Sequence, residues 1–267
     1  MDASPDGRLL ATAGRDHVVR LWDLEKRTRL AALPRSLGPV HVVRFTPDGG
    51  FLATGGWDRS LKYFRTSGDF AKVYDGLFGA ASPIVDVQFL PDGSALTALS
   101  NGAATISHPP PDVRLIREIR AEPDRLQTIA LSPDGSTLAC ADDGDSVHVW
   151  NLASTQQHRR LPLQHGVGRL AAHPKSGVVA LLLVHSPIVE VWDVDSNDRL
   201  ARFQTADAAV MAARFADDGS TLRTVGVQGT VESWNWRDGA RTAAAVPLGR
   251  PTAALAVSPA EIGRAHV

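Results

Sequence analysis

The chain has 267 residues, a formal net charge of −1 and a hydrophobic fraction of 43%. These values exclude wholesale disorder, and the near-neutral charge offers no strongly basic surface for nucleic acid. One cysteine, Cys140, cannot form an internal disulfide framework or a cysteine-rich zinc site. No apolar run is long enough to span a bilayer, and the N-terminus lacks a secretory signal, which predicts a cytoplasmic protein.

A short turn sequence recurs along the chain. Pro-Asp-Gly begins at residues 5, 47, 91 and 133, and related turns begin at 174 and 217, with a last proline at 259. Because a given tripeptide arises by chance about once in several thousand positions, four copies in register indicate an internal repeat. We therefore predict one repeat domain over residues 1–259, with units turning near 5, 47, 91, 133, 174 and 217.

Each unit predicts four short strands. The first alternates apolar and polar residues, the second is a continuous apolar run, the third ends in an aromatic residue and the fourth is polar and edge-like. The Pro-Asp-Gly sequence favours a type I turn between the first two strands. In chain order, the clearest predicted strands are 9–14, 18–22, 28–33, 43–45, 51–56, 85–89, 113–120, 137–141, 147–150, 178–184, 188–192, 199–204 and 231–234. A helix over 113–120 is the best alternative, and the repeat favours a strand there.

The aromatic residue that ends the third strand keeps the same period. We call its six places the register positions, and they hold Trp22, Phe64, Ser107, Trp150, Trp192 and Trp234. We expect the five aromatic side chains to be structural and buried. The third unit has serine instead and is followed by three prolines, so we expect it to be the most loosely packed.

Four-stranded units of about 40 to 45 residues with a Trp-Asp dipeptide are typical of propeller blades. Trp22-Asp23 and Trp192-Asp193 carry that dipeptide, and Trp150-Asn151 and Trp234-Asn235 are close variants. On these residues the chain resembles the WD-repeat β-propeller family, in a bacterial form with degenerate repeats. The resemblance implies an all-β fold with six four-stranded antiparallel blades, as a closed six-bladed ring or as an arc of a seven-bladed one.

The chain departs from the family pattern at the polar residues. Members often carry a Gly-His dipeptide before the first strand and an aspartate six residues before the tryptophan, joined in a buried hydrogen-bond network. Asp16 and Asp58 keep the aspartate, but the other units do not, and no Gly-His dipeptide occurs. We therefore expect this network to be absent from most blades.

The two ends also depart from the repeat. The first unit begins almost at its turn, so we expect it to lack a leading strand, and residues 252–258 supply a spare one that can pair with 9–14. Residues 260–267 are a non-repeat tail whose last seven residues resemble a translated sequencing adapter, which implies a truncated reading frame. The Ala, Arg and Gly content suggests a bacterial source. The resemblance then implies fusion to a kinase, protease or NTPase domain in the intact chain.

Catalytic and cofactor motifs are weak. Residues 166–171 match a relaxed dinucleotide fingerprint but fall in a predicted strand. Residues 193–204 begin like a calcium loop but lack its glycine and its final glutamate, which favours a polar hairpin. Cys140 lies in a small apolar run and is predicted to fill the core. We therefore expect no enzyme, no metal and no cofactor.

The family resemblance places partner binding on the loops between the second and third strands. Those loops hold Arg15, Asp16, Trp57, Asp58, Arg59, Asp143 and His185. Trp57 lies outside the register positions, and Trp and Arg are enriched at interface hot spots, although Trp57 folded over a neighbouring blade is an equal alternative. We predict a non-catalytic scaffold or sensor module that binds a protein or peptide and no nucleic acid.

Two other functions stay open at this point. One is a lactonase-like propeller hydrolase with a metal in the central channel. The other is a propeller like those of periplasmic translocation proteins, which share the Ser-Pro-Asp-Gly turns. The register tryptophans argue against the second.

Overall fold

The structure is a computed structural model and describes residues 1–76, 82–120, 125–142, 146–152, 158–161, 163, 165–216 and 218–247. These residues form antiparallel sheets and no helix, which confirms the predicted all-β propeller fold with six four-stranded blades. The chain divides into two compact units, with a boundary between Leu126 and Gln127. The first unit holds blades one to three and the second holds blades four to six, numbered in chain order.

The first unit contains twelve of the described strands. Blade one consists of β1 (Asp2–Ala3), β2 (Leu9–Thr12), β3 (Arg20–Asp23) and β4 (Thr28–Ala32). Blade two consists of β5 (Val40–Phe45), β6 (Phe51–Gly56), β7 (Leu61–Arg65) and β8 (Lys72–Gly76). Blade three consists of β9 (Ile84–Phe89), β10 (Ala95–Leu99), β11 (Ala103–Ser107) and β12 (Leu115–Arg120).

The second unit repeats this order. Blade four consists of β13 (Leu126–Leu131), β14 (Thr137–Asp142), β15 (Val147–Asn151) and β16 (His158–Arg160). Blade five consists of β17 (Val167–Ala172), β18 (Val178–Leu183), β19 (Ile188–Asp193) and β20 (Asp198–Gln204). Blade six consists of β21 (Val210–Phe215), β22 (Leu222–Gly226), β23 (Thr230–Asn235) and β24 (Ala240–Arg241), and β25 (Val246–Pro247) also pairs with β23.

The strands settle three ambiguities left by the sequence. Residues 115–120 form a strand paired with β11, so the helical alternative is wrong. Residues 167–172 form β17 and not the turn into a helix that a dinucleotide site needs. The calcium-like stretch is the hairpin between β19 and β20, where the Asp193 carboxylate accepts the backbone N–H groups of residues 195 and 196 at 2.8 and 3.1 Å.

The N-terminus differs from expectation. Asp2 and Ala3 pair with β2, so blade one has a short leading strand of its own. The Asp2 carboxylate also accepts the backbone N–H of Phe45 at 2.9 Å, which ties this strand to blade two. The spare leading strand at 252–258 and the tail at 260–267 lie outside the described residues.

The Pro-Asp-Gly turns close through their own side chains. In the first, the Gly7 N–H donates to the Ser4 carbonyl at 2.9 Å, and Gly7 adopts a φ of 70° that only glycine reaches without strain. The Asp6 carboxylate accepts the Ser4 hydroxyl at 2.6 Å and the Arg8 N–H at 3.0 Å. The same bonds recur around Asp134, where the Ser132 hydroxyl, together with donors of Ser136, lowers the pKa of that carboxyl to about 2.

His173 takes the serine place in the fifth turn. Its Nδ1 accepts the backbone N–H of Lys175 at 3.2 Å, so this nitrogen carries no proton and also accepts the Ser176 hydroxyl at 2.8 Å. Its Nε2 donates to the carbonyl of Gly219 at 3.1 Å, which links the turns of blades five and six. Burial, aided by the charges of Arg237 and Lys175, holds the pKa of His173 below its usual value, although the Gly219 carbonyl opposes the shift.

Because the pKa of His173 is lowered in the folded chain, we expect the folded state to be less stable in acid. The unfolded chain takes up the proton near the ordinary histidine pKa of about 6.5, whereas the folded chain resists it. The unfolded state therefore binds more protons, and the stabilisation present above that pH is lost as the pH falls below it. We expect the urea midpoint to fall between about pH 7.5 and about pH 5.5, and to fall less in His173→Gln, which cannot titrate. An equal fall in both proteins would contradict this assignment.

The core of each unit lies between neighbouring blades, and the register residues Phe64, Trp192 and Trp234 face the preceding blade. Phe64 packs with Ala11 and Leu21 of blade one, and Trp234 packs with Leu182 and Val191 of blade five. Burying one such side chain contributes about 1.5–3 kcal/mol, so these contacts hold successive blades together.

The register residues are not all equally buried. Phe64, Trp150, Trp192 and Trp234 are buried, whereas Trp22 is half-buried, which differs from the expectation for that residue. Ser107 is fully buried in the same register.

Part of the expected hydrogen-bond network is present in two blades. The indole N–H of Trp22 donates to the Thr12 hydroxyl at 2.9 Å, and that of Trp234 donates to Thr224 at 2.9 Å. In blade six the aspartate comes from a different loop. Asp207, which precedes β21, accepts the N–H of Gln228 at 2.9 Å and the Thr230 hydroxyl at 2.8 Å.

A second polar position recurs two residues before each register position, and we call it the anchor position. It holds Arg20, Lys62, Thr105, His148, Glu190 and Glu232. The first two pair with the aspartates at 16 and 58, and His148 pairs with Asp142 at 3.0 Å. In blades five and six the sign is reversed, and a glutamate pairs with arginines of the fourth strand. Blade three has only the neutral Thr105 there.

Candidate functional site

The turns between the second and third strands of blades one and two share one construction. Their sequences are Gly14-Arg15-Asp16-His17 and Gly56-Trp57-Asp58-Arg59. The aspartate side chain accepts the backbone N–H two residues later, at 3.3 Å in the first turn and 3.4 Å in the second. The last residue of each turn, His17 or Arg59, has a φ of 69° or 64°, which closes the turn tightly.

The same aspartates are neutralised by their own strands. Asp16 pairs with Arg20 at 2.6 Å, and Asp58, whose side chain is 4% exposed, pairs with Lys62. The aspartates are therefore occupied in fixing the turns. The residue before each aspartate, Arg15 or Trp57, stands exposed at the tip.

The loop between blades one and two joins these turns. The Trp57 N–H donates to the Pro39 carbonyl at 3.0 Å, and the Ser36 N–H donates to the His17 carbonyl at 2.9 Å. Gly38 lets the loop approach the turn closely, because a Cβ at that residue would lie 3.0 Å from the Cβ of Trp57. We call the surface formed by residues 14–17, 36–41 and 56–59 the Trp57 surface.

Two large apolar side chains stand out on the Trp57 surface. Trp57 is 59% exposed and Leu37 is 95% exposed. The His41 ring meets Trp57 edge to face, with ring centroids 6.1 Å apart. Burial, together with the nearby positive charge of Arg15, lowers the pKa of His41, so its ring is neutral at pH 7. The surface thus combines an exposed indole, an aliphatic side chain and the arginines at 15 and 59.

The structure places the predicted contact residues unequally. Arg15, Asp16, Trp57, Asp58 and Arg59 come together on this surface in the first unit. His185 is exposed in the second unit, with a φ of 50°. Asp143 lies outside the described residues. Leu37 and His41 were missed by the sequence analysis, and the one signal for Leu37 is a large apolar residue between Pro34 and Pro39, where no strand is predicted.

The described residues contain no group of three or more His, Cys, Asp or Glu side chains that could hold a metal ion. No helix among them has the length and hydropathy of a membrane span. Cys140 is buried in β14.

Comparison with known proteins agrees with the fold. The family model "WD domain, G-beta repeat" matches residues 1–23, 28–65 and 114–151. A chain in the crystal structure of the mitotic checkpoint complex superposes with a TM-score of 0.81, over 97% of this chain and 80% of that chain, at 16% identity. The three matched segments are similar to WD repeats, and the superposition supports the propeller fold.

Curated relatives are similar over longer stretches. Protein hir-1 of Neurospora crassa is 25% identical over 57% of this chain and 17% of its own length. The transcriptional corepressor LEUNIG_HOMOLOG of Arabidopsis thaliana is 22% identical over 87% of this chain and 29% of its own length. Apoptotic protease-activating factor 1 of Danio rerio is 27% identical over 92% of this chain and 17% of its own length. The chain therefore spans less than a third of each of these relatives.

Proposed function

We propose that this chain is a non-catalytic WD-repeat scaffold or sensor module that binds a protein or peptide through the Trp57 surface. The observation that carries this proposal is the 59% exposure of Trp57 on a turn fixed by backbone bonds and an ion pair. A rigid turn loses little conformational entropy when a partner binds, so an exposed indole there contributes most of its burial to affinity. Trp and Arg are also the residue types most enriched among interface hot spots.

The relatives support a role in protein assemblies. One is named a transcriptional corepressor, and the structurally similar chain comes from a checkpoint complex. All the relatives described above are eukaryotic, so the bacterial source stays a prediction. The cytoplasmic location, the lack of nucleic-acid binding and the fused kinase, protease or NTPase domain also stay predictions.

The test is partner capture with a matched pair of variants. We expect Trp57→Ala/Arg59→Ala to lose about 30-fold or more of the affinity for a captured partner, the loss typical of one hot spot. The control is Leu30→Ala/Arg29→Ala, which removes an exposed leucine and an exposed arginine from β4 of the same unit. Both variants should keep the wild-type stability to within about 0.5 kcal/mol, because these side chains are exposed.

Quantitative mass spectrometry of immobilised wild type and both variants measures this capture, and titration of the purified partner then gives the affinities. A partner held equally by the Trp57 variant and by the control variant would show that binding uses another surface.

A further inference from the structure

Four buried hydroxyl groups lie between blades two and three. Tyr63, Thr105 and Ser107 are fully buried, and Thr97 is 2% exposed. None of these four hydroxyl oxygens has a hydrogen-bond partner among the described residues. Buried hydroxyls in folded proteins almost always have a partner, because leaving one without costs more than a hydrogen bond contributes.

The four groups lie on two faces that pack against each other. Thr97 and Thr105 are direct partners across β10 and β11, and Ser107 follows Thr105 by two residues, so the three side chains lie on one face of blade three. That face packs on blade two, since its alanines at 95 and 103 belong to the same core cluster as Tyr63. Tyr63 therefore lies on the face of blade two that packs against the strands of these three residues.

Comparison with the other blades explains why the groups lack partners. Thr97 lies ten residues before its register position, as Thr12 and Thr224 do in blades one and six. Those two threonines accept the indole N–H of the register tryptophan. Ser107 has no indole, so Thr97 lacks the donor that those two threonines have.

The anchor position of blade three has lost its partner as well. Each of the other five blades has a charged or titratable side chain there, in an ion pair or, for His148, in a hydrogen bond with Asp142. Thr105 has neither a charge nor a partner. All four hydroxyls are neutral, because burial raises the pKa of Tyr63 further above the physiological range. The surroundings therefore suit a small neutral molecule that donates and accepts hydrogen bonds, and they offer no countercharge to an ion.

We propose that blades two and three enclose an internal water site, in which ordered water bonds to the hydroxyls of Thr97, Thr105, Ser107 and Tyr63. The water supplies the hydrogen bond that the indole N–H supplies in blades one and six. Proteins hold about one buried water per 27 residues, each with about three hydrogen bonds to groups that have no other partner. At the register position of blade three, Ser107 and the water together take the place that a tryptophan side chain has in other blades.

The direct test counts long-lived internal water by oxygen-17 relaxation dispersion. The double variant Thr97→Val/Thr105→Val keeps the side-chain shape and removes two water partners. We expect it to hold at least one long-lived water fewer than wild type. The control Thr224→Val removes the equivalent hydroxyl of blade six, whose partner is an indole, and should keep the wild-type count. An unchanged count in the double variant would overturn the proposal.

Two further measurements test the same proposal: the unfolding equilibrium of Thr105→Val and a crystal structure of the wild-type chain. If Thr105 bonds to water, Thr105→Val raises the unfolding equilibrium constant about fivefold or more, because the water loses a partner. If the Thr105 hydroxyl has no partner at all, replacing it by a methyl group removes the cost of burying it, and the unfolding equilibrium constant falls. A lower unfolding constant would therefore overturn the proposal. Where the variants do not fold, a crystal structure of the wild-type chain decides. We expect water density within hydrogen-bond distance of at least two of the four hydroxyls, and none there would refute the site.

Discussion

Replacing Trp192 by alanine is expected to lower the free energy of unfolding by about 3–5 kcal/mol. The side chain is 6% exposed and packs against Ala139 and Val149 of blade four, so its removal leaves a cavity between two blades. The indole N–H also donates to Oε2 of Glu190 at 3.0 Å, and its loss removes a donor from a buried carboxylate. Urea unfolding followed by circular dichroism measures the change.

Trp57→Ala is the matched control for this experiment. It removes the same side chain from a position that is 59% exposed, and we expect a change within about 0.5 kcal/mol. A loss below about 1 kcal/mol for Trp192→Ala would mean that the register tryptophan does not hold blades four and five together.

The propeller architecture could be predicted from the sequence because it rests on local and periodic signals. A Pro-Asp-Gly turn closes through its own aspartate, as Asp6 and Asp134 do, so its meaning does not depend on distant residues. The period then places the third strand and its register residue. The burial of each register residue could not be predicted in the same way. Trp22 and Trp192 occupy the same place in the repeat and both precede an aspartate, yet Trp22 is only half-buried. Burial depends on the side chains packed against that face, and the period does not report them.

The polar contacts could not be predicted because their partners change strand and sign. Arg20 pairs with the turn before its own strand, whereas Glu190 pairs with Arg199 on the strand after it. One anchor position thus holds a cation in blade one and an anion in blade five. The expected network was sought at fixed spacings, so Asp207, which approaches from another loop, was missed.

The candidate site also contains residues that could be predicted from the sequence and residues that could not. Trp57 and Arg59 could be identified from their place in a turn outside the register. Leu37 could not, because it belongs to the connection between blades, which has no repeated sequence. His41 could not, because it lies in the part of β5 that precedes the predicted strand at 43–45. Two backbone bonds bring that connection to the turns, one from the Trp57 N–H to the Pro39 carbonyl and one from the Ser36 N–H to the His17 carbonyl.

Replacing Asp207 by alanine is expected to lower the free energy of unfolding by about 2–4 kcal/mol. The residue is 4% exposed, and its two carboxylate oxygens accept the Gln228 N–H at 2.9 Å and the Thr230 hydroxyl at 2.8 Å. Alanine leaves both donors without a partner, one in the turn before β23 and one at the first residue of β23. Asp207→Asn keeps one acceptor oxygen, so we expect about half of that loss. An equal loss in both variants would assign the effect to charge and not to hydrogen bonds.

Gly226 supplies an independent check on the same contact. A Cβ at this residue would overlap the side chain of Asp207, so Gly226→Ala should destabilise the chain by about 1–3 kcal/mol. In Asp207→Gly/Gly226→Ala the overlapping side-chain atoms of residue 207 are absent, so the combined loss should fall short of the losses in Asp207→Gly and Gly226→Ala added together. Urea unfolding of the four proteins gives this coupling, and strictly additive losses would mean that the two residues do not meet. Because Asp207 precedes β21 and the turn precedes β23, the coupling measures how firmly the loop is held against its own blade.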